Sequence, residues 1–261
     1  MRSLKVAATG MLAQQMNIDV ISNNIANLST TGFKRSRAEF QDLFYQNLER
    51  VGTTSSDQGT IVPAGVQLGL GVSAGSVARI PQQGTLQQTE SKFDLAIVGR
   101  GYFQIERPNG IEAYSRAGSF QVNQDGVIVT PEGFPVVPGI TIPQNAVDVS
   151  INEQGQVFVK LDNDPALQQV GQINLVNFIN EAGLEAIGDN LFLESQASGP
   201  PVIGFAGDEG FGKLRQGFVE SSNVNVINAI TDLISAQRNF EYNSRVISAS
   251  DQVMQTISQV S

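Results

Sequence analysis

Two apolar stripes, one at each end of the chain, constrain most strongly what it can become. Leu4, Met11, Ile18 and Ile25 recur every seven residues, and Ala7, Gln14, Ile21 and Leu28 fill the companion position of the same stripe. A seven-residue repeat of this kind is the a/d seam by which one helix packs on another. The opposite face carries Gln15, Asn17, Asp19, Asn23 and Asn24. Thr31-Gly32 supplies a stop, because glycine suits the left-handed conformation just beyond a helix. The far end repeats the design: Val226, Leu233, Phe240, Ile247 and Met254 recur every seven, with Ala229, Ala236, Asn243, Ser250 and Ile257 as companions. Ser222 or Asn223 is placed to cap its start. A long helix with so narrow a stripe is marginal alone in water. The simplest partner for each helix is the other, in an antiparallel or a parallel pair. An ordinary amphipathic helix lying on a globular core has the same periodicity, and the stripe alone does not separate the two.

Between the stripes the composition changes. From Gln46 to about Val72 the chain is rich in Gly, Ser, Thr and Gln, with Gly52-Thr53-Thr54-Ser55-Ser56 at its centre, and reads as an extended or loop connection. From Ser73 to Glu220 strand signals dominate. Phe120-Gln121-Val122 and Val127-Ile128-Val129 flank Asn123-Gln124-Asp125-Gly126, a hairpin by alternation and turn chemistry. Tyr102–Ile105 and Ile111–Tyr114 flank Pro108-Asn109-Gly110 in the same way, and Val149–Ile151 and Val157–Val159 flank Asn152-Glu153-Gln154-Gly155. The expected fold is α+β: terminal helices paired as a coiled-coil-like stem, with a central antiparallel β domain, an irregular sandwich or barrel. The expected divisions are a helical domain from 1–35 and 222–261, a connector over 36–72, and a β-rich domain over 73–221.

The residues the chain lacks exclude whole chemistries. There is no Cys, no His and no Trp. Thiolate nucleophiles, disulfides and thiolate-held metals go with the first; Ser-His-Asp triads and most zinc sites go with the second. A net charge of -9 opposes nucleic-acid binding, which needs clustered Lys and Arg, and opposes a polybasic membrane anchor. Charged residues are only 16%, against roughly a quarter in an average domain, so Gln, Asn, Ser, Thr and Gly must cover the surface, which suits protein contacts. Met1-Arg2-Ser3-Leu4-Lys5 is basic, but Thr9, Gly10, Gln14 and Gln15 break the apolar run after it, making a poor secretory signal. No run approaches the ~18 apolar residues of a membrane span, so no membrane insertion is expected.

Three near-matches to chemical motifs fail on inspection. Gly207-Asp208-Glu209-Gly210-Phe211-Gly212-Lys213 has phosphate-loop spacing, but Leu214 stands where a magnesium-binding Ser or Thr is required, and Asp208 and Glu209 would repel phosphate. Gly69-Leu70-Gly71-Val72-Ser73-Ala74 resembles a dinucleotide fingerprint, yet Val72 to Ile80 reads as strand, and its glycines suit a bend or a close backbone approach. Asp162-Asn163-Asp164 begins like a calcium loop, but Pro165 and Ala166 follow where a ligand and Gly belong. No catalytic residue, cofactor site or metal site is expected. A carboxylate hydrolase stays open as a reading, since paired carboxylates need only spatial proximity, although little aromatic surface exists to stack sugars. A surface binding module anchored by its helices is a further alternative.

The helix ends carry a resemblance. Ser22-Asn23-Asn24-Ile25-Ala26-Asn27-Leu28-Ser29-Thr30-Thr31-Gly32-Phe33-Lys34-Arg35 resembles the N-terminal signature of bacterial flagellar axial proteins, the rod and hook family. Ser222-Asn223-Val224-Asn225-Val226, continuing through Ala236-Gln237-Arg238-Asn239-Phe240-Glu241, resembles that family's C-terminal signature, with Asn239-Phe240 where Ala-Tyr is common. Leu95–Gln104, Tyr114–Phe120 and Gln168–Leu175 are similar to its central segments, so the likeness runs in order over essentially the whole chain. Length and the segment Tyr45 to Leu68 resemble the distal-rod branch; another axial subunit, of proximal-rod or hook type, is the alternative.

The resemblance implies a non-enzymatic subunit of the flagellar basal body. Copies would stack helically into a hollow tube crossing the periplasm and outer membrane, terminal helices lining the channel and β domains forming the wall. Its implied partners are itself, proximal rod subunits below, hook subunits above, the P-ring and L-ring around it, and the flagellar type III export apparatus. Tyr45 to Leu68 is expected to wedge between neighbours and stiffen the shaft, so that deleting Val51 to Gly59 should alter its straightness.

Overall fold

A computed structural model describes residues 2–49, 65–162 and 164–260. The heptad stripes are realised as two helices, α1 (Arg2–Ala26) and α2 (Val226–Val260). Helix α1 stops well before Thr31-Gly32. After Ala26 the chain turns, the Thr30 N–H donating to the Asn27 carbonyl at 3.3 Å and the Thr30 hydroxyl to Asn27 Oδ1 at 3.1 Å. Short polar side chains in this stretch offer the backbone local alternatives to helical bonds, so Leu28, which the heptad count places on the seam, lies beyond the helix. The start of α2 also differs from expectation. Asn225 is the cap: its Oδ1 accepts from the Asn228 N–H at 3.1 Å and its carbonyl from the Ala229 N–H at 2.9 Å. The Ser222 hydroxyl receives only the Val224 N–H, at 3.3 Å, and Asn223 is committed elsewhere.

The chain folds into two compact units whose segments interleave: 1–25, 36–78 and 225–261 form the first, and 26–35 with 79–224 form the second. In the first unit the helices run antiparallel. Gly10 lies against the Asn243 side chain, and Ser250 donates to the Ser3 hydroxyl at 3.3 Å. With them belong β1 (Ser36–Asp42), β2 (Tyr45–Glu49), β3 (Val66–Gly69) and β4 (Val72–Arg79); β1 pairs with β4, and β2 with β3 antiparallel, Tyr45 opposite Gly69. The stretch from Gln46 to Val72 is therefore more than a connection, since a ladder closes its two ends. Its Gly, Ser and Thr content hid two short alternating runs. The expectation for Val51 to Gly59 falls outside the described residues.

Side chains of α1 dock the strands of this unit. Asn24 is buried and pairs with Ser36 as a strand would: its Nδ2 donates to the Ser36 carbonyl at 2.7 Å, and the Ser36 N–H donates to its Oδ1 at 2.8 Å. Thr9 accepts the Val72 N–H at 3.3 Å. Next to it Gly71 holds φ +118°, and a Cβ there would collide with the Thr9 hydroxyl. This glycine thus serves the close backbone approach that its neighbourhood suggested in the sequence.

The second unit is built from short strands: β5 (Leu86–Gln88), β6 (Leu95–Val98), β7 (Tyr102–Glu106), β8 (Glu112–Ser115), β9 (Gln121–Val122), β10 (Ile128–Val129), β11 (Ala146–Ile151), β12 (Gln156–Leu161), β13 (Asp164–Gln172), β14 (Asn174–Asn177), β15 (Glu185–Gly188), β16 (Leu191–Leu193), β17 (Val202–Phe205), β18 (Lys213–Gln216) and β19 (Phe218–Glu220). All three expected hairpins form, as β7–β8, β9–β10 and β11–β12. Two of them share one turn chemistry. Asn123 Oδ1 accepts the N–H groups of Asp125 and Val127, and Asn152 Oδ1 those of Gln154 and Gln156, all between 2.9 and 3.1 Å. An Asn at the first turn position stands in for a backbone acceptor in this way.

The largest sheet has the order β15-β16-β8-β7-β14-β17, and β11-β12-β13 forms another. No sheet among the described residues closes into a barrel, so of the two expected forms only open sheets occur. The six-stranded sheet is buried on both faces, because successive residues of a strand point to opposite sides. Phe103 and Leu175 join Leu95, Ile97, Val157 and Leu214 in the main core, while Tyr102 and Val176 pack with Tyr114, Phe178 and Phe192 on the other side. There the rings meet edge to face, Tyr114 to Phe178 at 4.8 Å. Each such buried side chain contributes about 2 kcal/mol by removal from water. The glycine-rich run before Lys213 is a turn between β17 and β18, closed by the Phe205 N–H on Asp208 Oδ2 at 3.0 Å.

Substituting Gly71→Ala forces a side chain into a left-handed conformation against Thr9. Urea denaturation should report a loss of about 1–3 kcal/mol, and Thr9→Ala in the same chain should restore part of it.

Candidate functional site

The signature segments at the two helix ends converge, inside the second unit, on one buried carboxylate. Glu220 ends β19 and is 1% exposed. Its Oε1 accepts from the Lys34 ammonium and, at 2.8 Å, from the Gly84 N–H; its Oε2 accepts from Arg116 Nε at 2.7 Å. Arg116 spends its remaining nitrogens on the carbonyls of Ile97, Gly99 and Gly101. Lys34 also donates to the Gln82 carbonyl at 3.0 Å. Burial alone would raise the carboxyl pKa; Arg116, Lys34 and the Gly84 N–H outweigh it and hold Glu220 below the ordinary value of 4.5. Lys34 tips the other way: desolvation lowers its pKa in spite of Glu220.

Asn223 closes the same joint with neutral bonds. Its Oδ1 accepts the Arg35 N–H at 2.7 Å, and its Nδ2 donates to the carbonyls of Ile80 and Gln82 at 3.0 and 2.9 Å. The Asn223 N–H reaches the Phe33 carbonyl, and the Gly32 N–H reaches that of Glu220. Gly32 has φ +70°, and a Cβ on it would stand 2.6 Å from the Ala117 nitrogen. Three distant segments, 32–35, 80–84 and 220–223, are thus laced together with Arg116 as a clasp.

The signature residues divide between this clasp and the helices. Gly32, Phe33, Lys34 and Asn223 are in the clasp. Asn27 and Thr30 make the turn leading to it. Ser222 and Val224 are half-buried beside it, Ala26 is exposed at the end of α1, and Asn225 caps α2. Gln237, Arg238 and Glu241 lie exposed on α2, outside it. Of the seam residues, Ile21 is buried, and Leu4, Met11, Ile18, Ile25, Leu28, Leu233, Phe240 and Ile247 are half-buried; Val226, Met254 and Ile257 are exposed. Glu220 and Arg116 were not singled out as partners in the sequence. Charged residues inside otherwise apolar β segments, Phe218-Val219-Glu220 and Tyr114-Ser115-Arg116, were the available signal.

A chain whose two ends form one helical pair, with a β body between them in sequence, agrees with the resemblance that the signature segments carry. Comparison with known proteins agrees along its length. Residues 4–34 match the family described as flagella basal body rod protein, residues 96–159 the flagellar hook protein FlgE/F/G D1 domain, and residues 215–260 the flagellar basal body rod FlgEFG protein C-terminal family. The chain is 58% identical to the flagellar basal-body rod protein FlgG of Caulobacter vibrioides, covering 100% of this chain and 99% of that one. Identity is 48% to FlgG of Agrobacterium fabrum, over 99% of this chain and 98% of the relative, and 39% to FlgG of Bacillus subtilis, over 98% of each. The chain belongs to the family of FlgG flagellar basal-body rod proteins, and is a structural subunit of the flagellar distal rod.

Replacing Glu220→Gln strands two buried cations and should cost about 3–5 kcal/mol near neutral pH. Because the folded carboxyl pKa lies below its unfolded value, this stabilisation is complete above the ordinary carboxylate range and fades as pH falls through the folded value. Urea midpoints of wild type and variant should therefore draw together as pH falls below the ordinary carboxylate value of 4.5; a gap that stays constant would show that the charge on Glu220 does not matter.

Proposed function

We propose that the chain polymerises helically into a hollow shaft that transmits rotation and conducts exported subunits, with the helical ends on the inside and the β body outside. In this reading the segments 1–35 and 222–261 form the assembly domain, 36–72 the connector and 73–221 the outer domain. It acts by packing and not as an enzyme. Its partners are copies of itself, proximal rod subunits, hook subunits, the P-ring and L-ring, and the export apparatus.

The observation that carries this reading is where the apolar residues of the first unit lie. The intramolecular side of the helical pair is made largely of small residues, with Ala7, Ala13, Ala229 and Ala236 among the most buried. Large side chains remain outside: Ile227, Ile230, Ile234, Val253 and Ile257 on α2, and Phe44, Tyr45, Leu48 and Leu68 around the β2–β3 ladder, with Phe44 86% exposed. An extended apolar surface of this kind marks an interface. Neighbouring copies supply what covers it. The exposed seam residues Val226, Met254 and Ile257 belong to the same surface. No helix among the described residues is long and apolar enough to cross a membrane.

Purified full-length chain should form tubes visible by negative-stain microscopy. The pair Ile230→Asp and Ile234→Asp should abolish them while shifting the unfolding of the second unit by less than about 0.5 kcal/mol. Tubes indistinguishable from wild type would sink the reading. In dilute monomer, amides of α1 and α2 should exchange with deuterium well before those of β7, β8 and β12, because a helix lacking part of its packing frays. Equal protection throughout would show that the helices need no neighbour.

A further inference from the structure

A cavity of about 320 Å³ opens beside the clasp, with Lys34, Gln82, Arg100, Tyr102, Arg116 and Glu181 in its lining. Its donors exceed its acceptors. Lys34 is 4% exposed and uses two of its three ammonium protons, on Glu220 and the Gln82 carbonyl; the third finds no acceptor among the described residues. Arg100 donates only through Nε, to Glu181 Oε1 at 3.0 Å, so both terminal nitrogens of its fork are uncommitted. The Tyr102 hydroxyl donates to the other Glu181 oxygen at 3.2 Å, and burial raises its pKa so that it stays protonated. Glu220 is not part of the lining and is already occupied by Lys34, Arg116 and Gly84. Three cations therefore line a space in which Glu181 is the acid.

A buried ammonium proton without an acceptor is costly, and the group that best relieves it is an anion with two oxygens. One oxygen can accept from Lys34 while the pair engages the fork of Arg100. A net charge of -9 means that every copy of this chain carries surplus carboxylates. Glu209, at the tip of the turn between β17 and β18, is one of them: it is exposed and has no partner among the described residues. We infer that the cavity is a socket for an acidic side chain of a second copy of this chain. The inference rests on the assembly reading above and adds a charged, directional contact to an otherwise apolar one.

The test uses full-length chain carrying Arg100→Lys, which sets a primary amine at the cavity mouth. Tubes grown from an equal mixture of ordinary and nitrogen-15-labelled copies are treated with a water-soluble carbodiimide, which joins an amine to a carboxylate only in direct contact. Mass spectrometry should find hybrid light–heavy peptides linking position 100 to an Asp or Glu of another copy. Arg100→Ala should separately raise the protein concentration needed for tubes about tenfold at low salt, with unchanged monomer melting because Arg100 is largely exposed. Cross-links confined to Glu181 of the same copy, or an unaltered threshold for Arg100→Ala, would overturn the socket while leaving assembly intact. Wild-type chain that forms no tubes would overturn both.

Discussion

One carboxylate governs how this chain is held together. Glu220 is the only member of the clasp with a negative charge, and it neutralises two buried cations, Lys34 and Arg116, that are 82 residues apart in the sequence. A buried ion pair is seldom a large net source of stability, since desolvation offsets most of the attraction. What it adds is direction. Arg116 can satisfy its fork only when the Ile97, Gly99 and Gly101 carbonyls face it, and Lys34 only when Gln82 does. An apolar plug of equal volume would tolerate several arrangements of these loops. All of these residues belong to the second unit, so the placement of its segments 26–35 and 220–224 relative to each other is set by charge geometry.

The two units differ in the core that each holds. The second keeps a large apolar core on both faces of its six-stranded sheet, while Ile179, Leu167 and Ile203 stay exposed at its surface. In the first, alanines make the close contacts while isoleucines, valines and aromatics remain outside. Small residues at a helix contact allow a close approach but bury little area, so the helical pair gains less than its length suggests. Among the described residues, only the second unit has a core of the size expected for a free-standing domain.

Much of this was readable beforehand, and the parts that were not have physical causes. Both helices, all three hairpins and the α+β class follow from periodicity and turn residues, which are local signals. The helix ends did not follow. Asn27 and Thr30 bond to one another, and Asn225 takes the capping role for which Ser222 and Asn223 are the sequence candidates. Asn223 was free to serve the clasp because the helix begins three residues later. The β2–β3 ladder was hidden by its composition, and the pairing of Glu220 with Arg116 by distance along the chain, since no pattern in one sequence reports which buried charges meet. Asn24 shows the same limit. It reads as part of a polar, solvent-side face, yet it is buried and bonded to the backbone of Ser36.

The interleaving of the two units carries a consequence for timing. The second unit draws on one nearly continuous stretch, 79–224, and a short piece before it, whereas the first needs both the opening residues and the closing ones. A chain emerging from one end can therefore complete its β body while the stem still lacks α2. The stem closes only when the final residues arrive, and closing so distant a contact is intrinsically slow. Order of arrival thus leaves the helical pair unfinished until the final residues are available.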